Sequence, residues 1–167
     1  YYRHLIENVG DSELHYVLYH IPQNTYVPIS FKTIETLLKL YPNNIVGLKD
    51  SSGDADRMMK VIKYFNNFSV FCGHDSLALS ISKRGGAGAI TAGTNVCGKL
   101  LSFILKNYKN ENSIKNFNEL QKLLEKIRQV ITTHEPISLM KAYFSIIDNI
   151  SEWNNVLPPL KKIDDPK

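Results

Sequence analysis

The 167-residue chain has little cysteine, no long hydrophobic run and no concentration of charge. Its two cysteines, Cys72 and Cys97, stand in apolar or small-residue stretches without CxxC spacing. That excludes a disulfide framework and a thiolate metal knuckle, and is the usage of reduced, cytosolic chains. No apolar stretch approaches the roughly 18 residues needed to span a bilayer, and the N-terminus lacks a signal-peptide pattern, so no membrane partner is expected. The 20 Lys and Arg against 16 Asp and Glu leave a formal charge of +4. These charges are scattered, and without a basic stripe nucleic-acid binding has no footprint. No low-complexity linker divides the chain. With 43% hydrophobic residues there is enough apolar side chain for one sizeable core.

The N-terminal stretch YYRHLIENVG places Tyr2, Leu5, Ile6 and Val9 at helical spacing with no capping residue before them, and it begins with Tyr, which reads as a cut end. Four strand-sized apolar runs follow, near 15–21, 44–50, 68–73 and 88–93. Between them lie amphipathic helical patterns. Ser30 is placed to cap a helix carrying Phe31, Ile34, Leu37, Leu38 and Tyr41, and Asp54 one carrying Met58, Val61, Ile62 and Phe65. A shorter pattern, SLALSISKRGG, should stop at Gly85 and Gly86. Alternating strands and helices predict an α/β fold with a parallel sheet. Beyond residue 96 only helices are expected: Leu100 to Tyr108, Ile114 to Ile131, and a third opened by Pro136 with Leu139, Met140, Tyr143 and Phe144 in its core face. The division expected is therefore 1–96 for the βα units and 97–167 for a helical segment, not independent of each other.

Parallel strands bring their C-terminal ends to one rim, where function usually sits. The four ends here are Tyr19 and His20, Lys49 and Asp50, Gly73 to Asp75, and Thr91 to Thr94. A lysine after a strand is ordinarily a solvated turn residue, and a tyrosine there ordinarily a core ring with a wet hydroxyl. Four chemically equipped ends together suggest more. An amine beside apolar walls is more readily stripped of its proton and can attack a carbonyl to form an imine. The protonated imine draws electrons from the adjacent carbon, and a phenol from the neighbouring strand, Tyr19, is the candidate general acid and base. The glycine-rich RGGAGAITAG is not read as a phosphate loop: it lacks GxxxxGK[ST] and precedes a strand instead of following one.

The segments YHIP (19–22), GLKDSSGD (47–54), and GHDSLAL with GGAGAITAGTNV (within 73–96) resemble the dihydrodipicolinate synthase/N-acetylneuraminate lyase family of Schiff-base aldolases. The resemblance runs from about residue 2 to about residue 160. It implies a (β/α)8 TIM barrel followed by a C-terminal helical segment, with only strands five to eight in this chain. It implies an imine between Lys49 and pyruvate or another 2-keto acid, Tyr19 as proton relay, no metal or organic cofactor, small-molecule 2-keto acid and aldehyde partners, and a homo-oligomer, dimer or tetramer, for the full-length protein. Gly73, Asp75 and Thr91, with Thr94, are the substrate-binding positions so implied, and His20 and Asn24 the candidates for specificity. Asp75 has an alternative reading as a helix N-cap.

Departures from the family pattern qualify this. The carboxylate-binding Gly-Thr-Thr-Gly-Glu type segment is not in these residues. Where the synthase pattern carries an arginine for the second substrate's carboxylate, this chain has Asn24, and where sialic acid lyases carry Asp-Glu it has Asp75 and Ser76. Synthase activity proper, and a relic that has become a binding module, remain as alternatives.

Overall fold

The computed structural model describes residues 1–163. The chain divides into two compact units, residues 1–91 and the residues from Ala92 onward. The first holds α1 (Tyr2–Val9), β1 (Tyr16–His20), α2 (Pro22–Thr25), α3 (Phe31–Leu40), β2 (Ile45–Asp50), α4 (Ala55–Tyr64), β3 (Ser69–Cys72), α5 (Asp75–Ser82) and β4 (Gly88–Ala89). Its four strands form one parallel sheet in the order β1-β2-β3-β4, the order of an unbroken βα progression. This is a partial barrel.

Local sequence chemistry sets most of the boundaries. The Ser30 hydroxyl accepts from the Thr33 amide at 3.0 Å and the Asp54 carboxylate from the Arg57 amide at 2.9 Å, so both expected N-caps start their helices. At the end of α5 the chain turns through Gly85, with φ of 99°, and a Cβ on Gly86 would lie 2.7 Å from the Ile81 side chain. Glycine there stops the helix, as its position suggested.

Register explains which side chains are covered. Across the sheet, Leu18 pairs with Leu48 and Leu48 with Val70, all buried, while His20, Asp50 and Cys72 form the next buried row on the same side. Side chains alternate along a strand, so Tyr19, Lys49 and Phe71 form a row on the opposite side. The β1–β2 pairing is not uniform: Tyr16 pairs with Ile45 but Val17 with Gly47, leaving Val46 as one extra residue in β2. Only two residues of the expected fourth strand are paired. The Ile90 amide still donates to the Cys72 carbonyl at 2.9 Å, but β3 ends there, so nothing continues the ladder.

The second unit contains α6 (Thr94–Asn107), α7 (Phe117–Thr133) and α8 (Pro136–Ile147), with 3₁₀ turns at Tyr108–Ser113 and Ser151–Asn154. Two expectations change here. Ile114 is not helical, because Asn116 takes a left-handed backbone with φ of 63° and α7 begins only at Phe117. On α8, Tyr143 is 39% exposed and the buried positions are Ser138 and Ala142. The helix is apolar nearly all round, so periodicity alone does not choose its inner face, and the small i, i+4 pair packs closest. No helix among the described residues is long and apolar enough to cross a membrane.

Candidate active site

The centre of the site is the row Tyr19–Lys49–Phe71. Paired register sets Tyr19 beside Lys49, and the Lys49 ammonium Nζ lies 4.1 Å from the centroid of the Tyr19 ring. A cation at that distance over a phenol ring is held by the ring's quadrupole. Tyr19 is 46% exposed and Lys49 half-buried, so both are open to a small molecule from the uncovered side of the sheet.

Ser51 completes the group. Partial burial pushes the Tyr19 phenol up, but hydrogen bonding with Ser51 and with Lys49, together with the Lys49 charge, outweighs it and leaves the phenol below its ordinary value. A phenol eased toward release of its proton is a better relay. Ser51 was not singled out from the sequence, although a signal was there: it lies two residues beyond Lys49, the spacing at which side chains share a face. Gly73 is bound up with the same serine. A Cβ at position 73 would fall 2.0 Å from Ser51 Oγ and 2.9 Å from the Asp50 carbonyl oxygen. Glycine is therefore required where the tip of β3 closes on the tip of β2, and the Gly73 amide donates to that Asp50 carbonyl at 2.7 Å.

The remaining sequence candidates are placed differently. His20 does not join the row. It is 2% exposed on the helix-covered side, where its Nδ1 accepts from the Ile29 amide at 3.1 Å. Its neighbour Tyr19 takes the open side, and alternation sends the imidazole the other way; this corrects the expectation that His20 faces substrate. Asp75 is the first residue of α5 and not its N-cap, which is His74. Its buried carboxylate accepts from the Thr91 hydroxyl, so a substrate hydroxyl would have to compete with Thr91 for it. Asn24 is exposed on α2, and Thr94 opens α6 in the second unit.

Burial pushes the His20 imidazole below its ordinary value and the Arg57 charge pushes the same way, against weaker opposition from Asp50 and Asp54. The folded chain therefore binds this proton less readily than the unfolded one. The stabilisation is complete above the unfolded value of about 6.5 and is lost as pH falls from there through the lower folded value. Thermal melts should show a midpoint that is flat above about pH 7 and declines as pH falls below about 6.5, with a smaller decline in His20→Gln.

The family model described as the dihydrodipicolinate synthetase family matches residues 1–167. The chain belongs to this family. A 4-hydroxy-tetrahydrodipicolinate synthase from Pelagibacter ubique is 31% identical over 156 residues, covering 90% of this chain and 51% of the relative. The solved dihydrodipicolinate synthase from Aquifex aeolicus superposes with a TM-score of 0.73 at 25% identity, over 89% of this chain and 50% of that one. The N-acetylneuraminate lyase structure from Fusobacterium nucleatum gives 0.79 at 23% identity, over 98% and 53%, and shows the shared fold. The chain spans about half the length of the curated relatives it matches. Its four parallel strands are accordingly part of the dihydrodipicolinate synthetase family's barrel.

Proposed function

We propose that these residues serve a lysine Schiff-base aldolase or lyase that makes or cleaves a carbon–carbon bond next to the carbonyl of pyruvate or a related 2-keto acid. The observation that carries this reading is the pairing of Tyr19 and Lys49, with Nζ 4.1 Å from the phenol ring. In the proposed sequence the neutral Lys49 amine adds to the ketone, the Tyr19 phenol protonates the resulting hydroxyl, and water leaves to give the iminium. Electrons from the adjacent C–C or C–H bond then flow into the iminium, and the phenolate left by the preceding step takes up the proton released from the C–H bond or from the aldol hydroxyl. The phenol so restored, beside Ser51, returns it to the enamine carbon. The lysine is itself the electron sink, so the reaction so written calls on no metal or organic cofactor.

For the second substrate the reading takes a hydroxylated aldehyde or sugar-acid partner, on the strength of Asn24 standing where the synthase pattern has arginine. The synthase reaction is the second reading, favoured by the name carried by the 31% identical relative. A homo-oligomer is proposed for the full-length protein from the family resemblance alone.

The experiment is borohydride reduction in the presence of pyruvate, followed by peptide mass mapping. The full-length gene product is expected to gain a reduced pyruvate adduct at Lys49. Residues 1–167 alone, with four strands, are expected to show little adduct and little or no turnover. Absence of adduct from the full-length product, or an adduct confined to another lysine, would sink the reading. An aldehyde panel on the same protein then separates sugar-acid partners from the synthase reaction.

A further inference from the structure

Tyr19 and Lys49 face the open side of the sheet, and the residue after each faces the other side. There the two successors are joined. The Ile29 amide donates to His20 Nδ1 at 3.1 Å, and the Ile29 carbonyl accepts from Arg57 Nη2 at 2.7 Å. The second arm of the same guanidinium, Nη1, is paired with the carboxylate of Asp50. His20 and Asp50 are themselves partners in the β1–β2 register. The four groups therefore close a ring behind the sheet, running from the tip of β1 through the loop before α3 and the first turn of α4 to the tip of β2.

The ring is rigid for identifiable reasons. Asp50 is fully buried, and its other oxygen accepts from the Ser52 amide at 2.9 Å and the Ser52 hydroxyl at 2.6 Å. The Arg57 side chain is 15% exposed, with its guanidinium carbon 5.9 Å from the Phe31 ring. A buried carboxylate so placed needs its cation, and only a planar fork with several donors serves a carboxylate and a carbonyl in fixed directions at once. Stability alone would explain a buried ion pair. It does not explain why the ties fall on the residues directly following the phenol and the amine.

We propose that the Asp50–Arg57–Ile29–His20 ring is a positioning device for the reaction, setting from behind the sheet the spacing and heading of Tyr19 and Lys49, with Arg57 as its positioning residue. Its catalytic consequence rests on the aldolase reading above. Displacements of about 1 Å at a reacting pair can cost on the order of 100-fold in rate, so a brace of this kind has kinetic weight.

Two measurements on Arg57→Lys and Arg57→Met test it. The first is the titration of Tyr19 in residues 1–167, followed by NMR of tyrosine labelled at the phenolic carbon, with Tyr19→Phe assigning the signal. The second is the rate of pyruvate trapping at Lys49 in the full-length gene product. With far-UV circular dichroism unchanged, Arg57→Lys is expected to move the Tyr19 titration up toward an ordinary phenol as Ser51 and Lys49 lose their hold. It should also slow trapping by about 10- to 100-fold, with kcat falling more than KM rises, and Arg57→Met should do more. A folded Arg57→Lys with both Tyr19 titration and trapping unchanged overturns the proposal. Should Arg57→Met fail to fold, the lysine variant decides alone. Should the unmodified full-length protein trap no pyruvate, the aldolase reading fails, while the Tyr19 titration in Arg57→Lys still decides whether the ring positions the pair.

Discussion

Lys49→Arg in the full-length gene product retains a positive side chain at the tip of β2 and ends pyruvate trapping, with a loss on the order of 10³-fold or more, equivalent to about 4 kcal/mol of barrier. A guanidinium stays protonated and has no free lone pair for a carbonyl, so charge without nucleophilicity is what the substitution isolates. The face of the sheet allows the test to be clean. Lys49 is half-buried and packs over the Tyr19 ring, a contact an arginine can keep. The exposed Lys60 on α4 is the control, and Lys60→Arg should trap like the unmodified protein. Persisting adduct in Lys49→Arg, located on another residue, would remove Lys49 from the mechanism and leave only the fold.

Tyr19→Phe is the second large effect. It removes one oxygen from a side chain that is 46% exposed, so little packing is lost and the fold should persist. What disappears is the proton relay to the departing water and to the carbon acid, a contribution of about 10²- to 10⁴-fold in turnover. Lys49 remains, so borohydride should still capture an adduct at that position, more slowly but to a comparable end point. The contrast between the two variants separates nucleophile from relay: one loses the adduct, the other the rate. Turnover within a few-fold of the unmodified enzyme in Tyr19→Phe would assign proton transfer elsewhere, and Ser51, which acts on the same phenol, is the next hydroxyl to replace.

What could be read from the sequence divides along the range of the forces involved. The Ser30 and Asp54 caps were legible because a cap binds an amide three residues away, and the spacing is visible in the chain itself. The alternation of strands and helices was legible for the same reason, and with it the convergence of Tyr19 and Lys49. His20 was misplaced because its facing depends on which of two adjacent residues takes the open side, and that is decided by pairing with another strand. Arg57 carried no signal at all: its partners, Asp50 and the Ile29 carbonyl, are 7 and 28 residues away, and a carbonyl has no letter in a sequence. Asp75 was legible as an important acid but not as the partner of Thr91, 16 residues on. On α8, apolar residues on every side left the inner face undetermined until Ser138 and Ala142 were seen to fill it.

The extra residue at Val46 bears on how such a site changes over evolutionary time. Counting without interruption from Tyr16 opposite Ile45, the partner of Lys49 would be His20, and Tyr19 would stand beside Leu48. By taking Val46 out of the ladder, the bulge thus sets a phenol and not an imidazole beside the amine. Deletion of Val46 would straighten the strand and leave Tyr19 opposite Lys49, whereas one more residue between 46 and 49 left in the ladder would bring His20 beside the amine. Insertion there should therefore be rarer among descendants of this gene than loss of Val46.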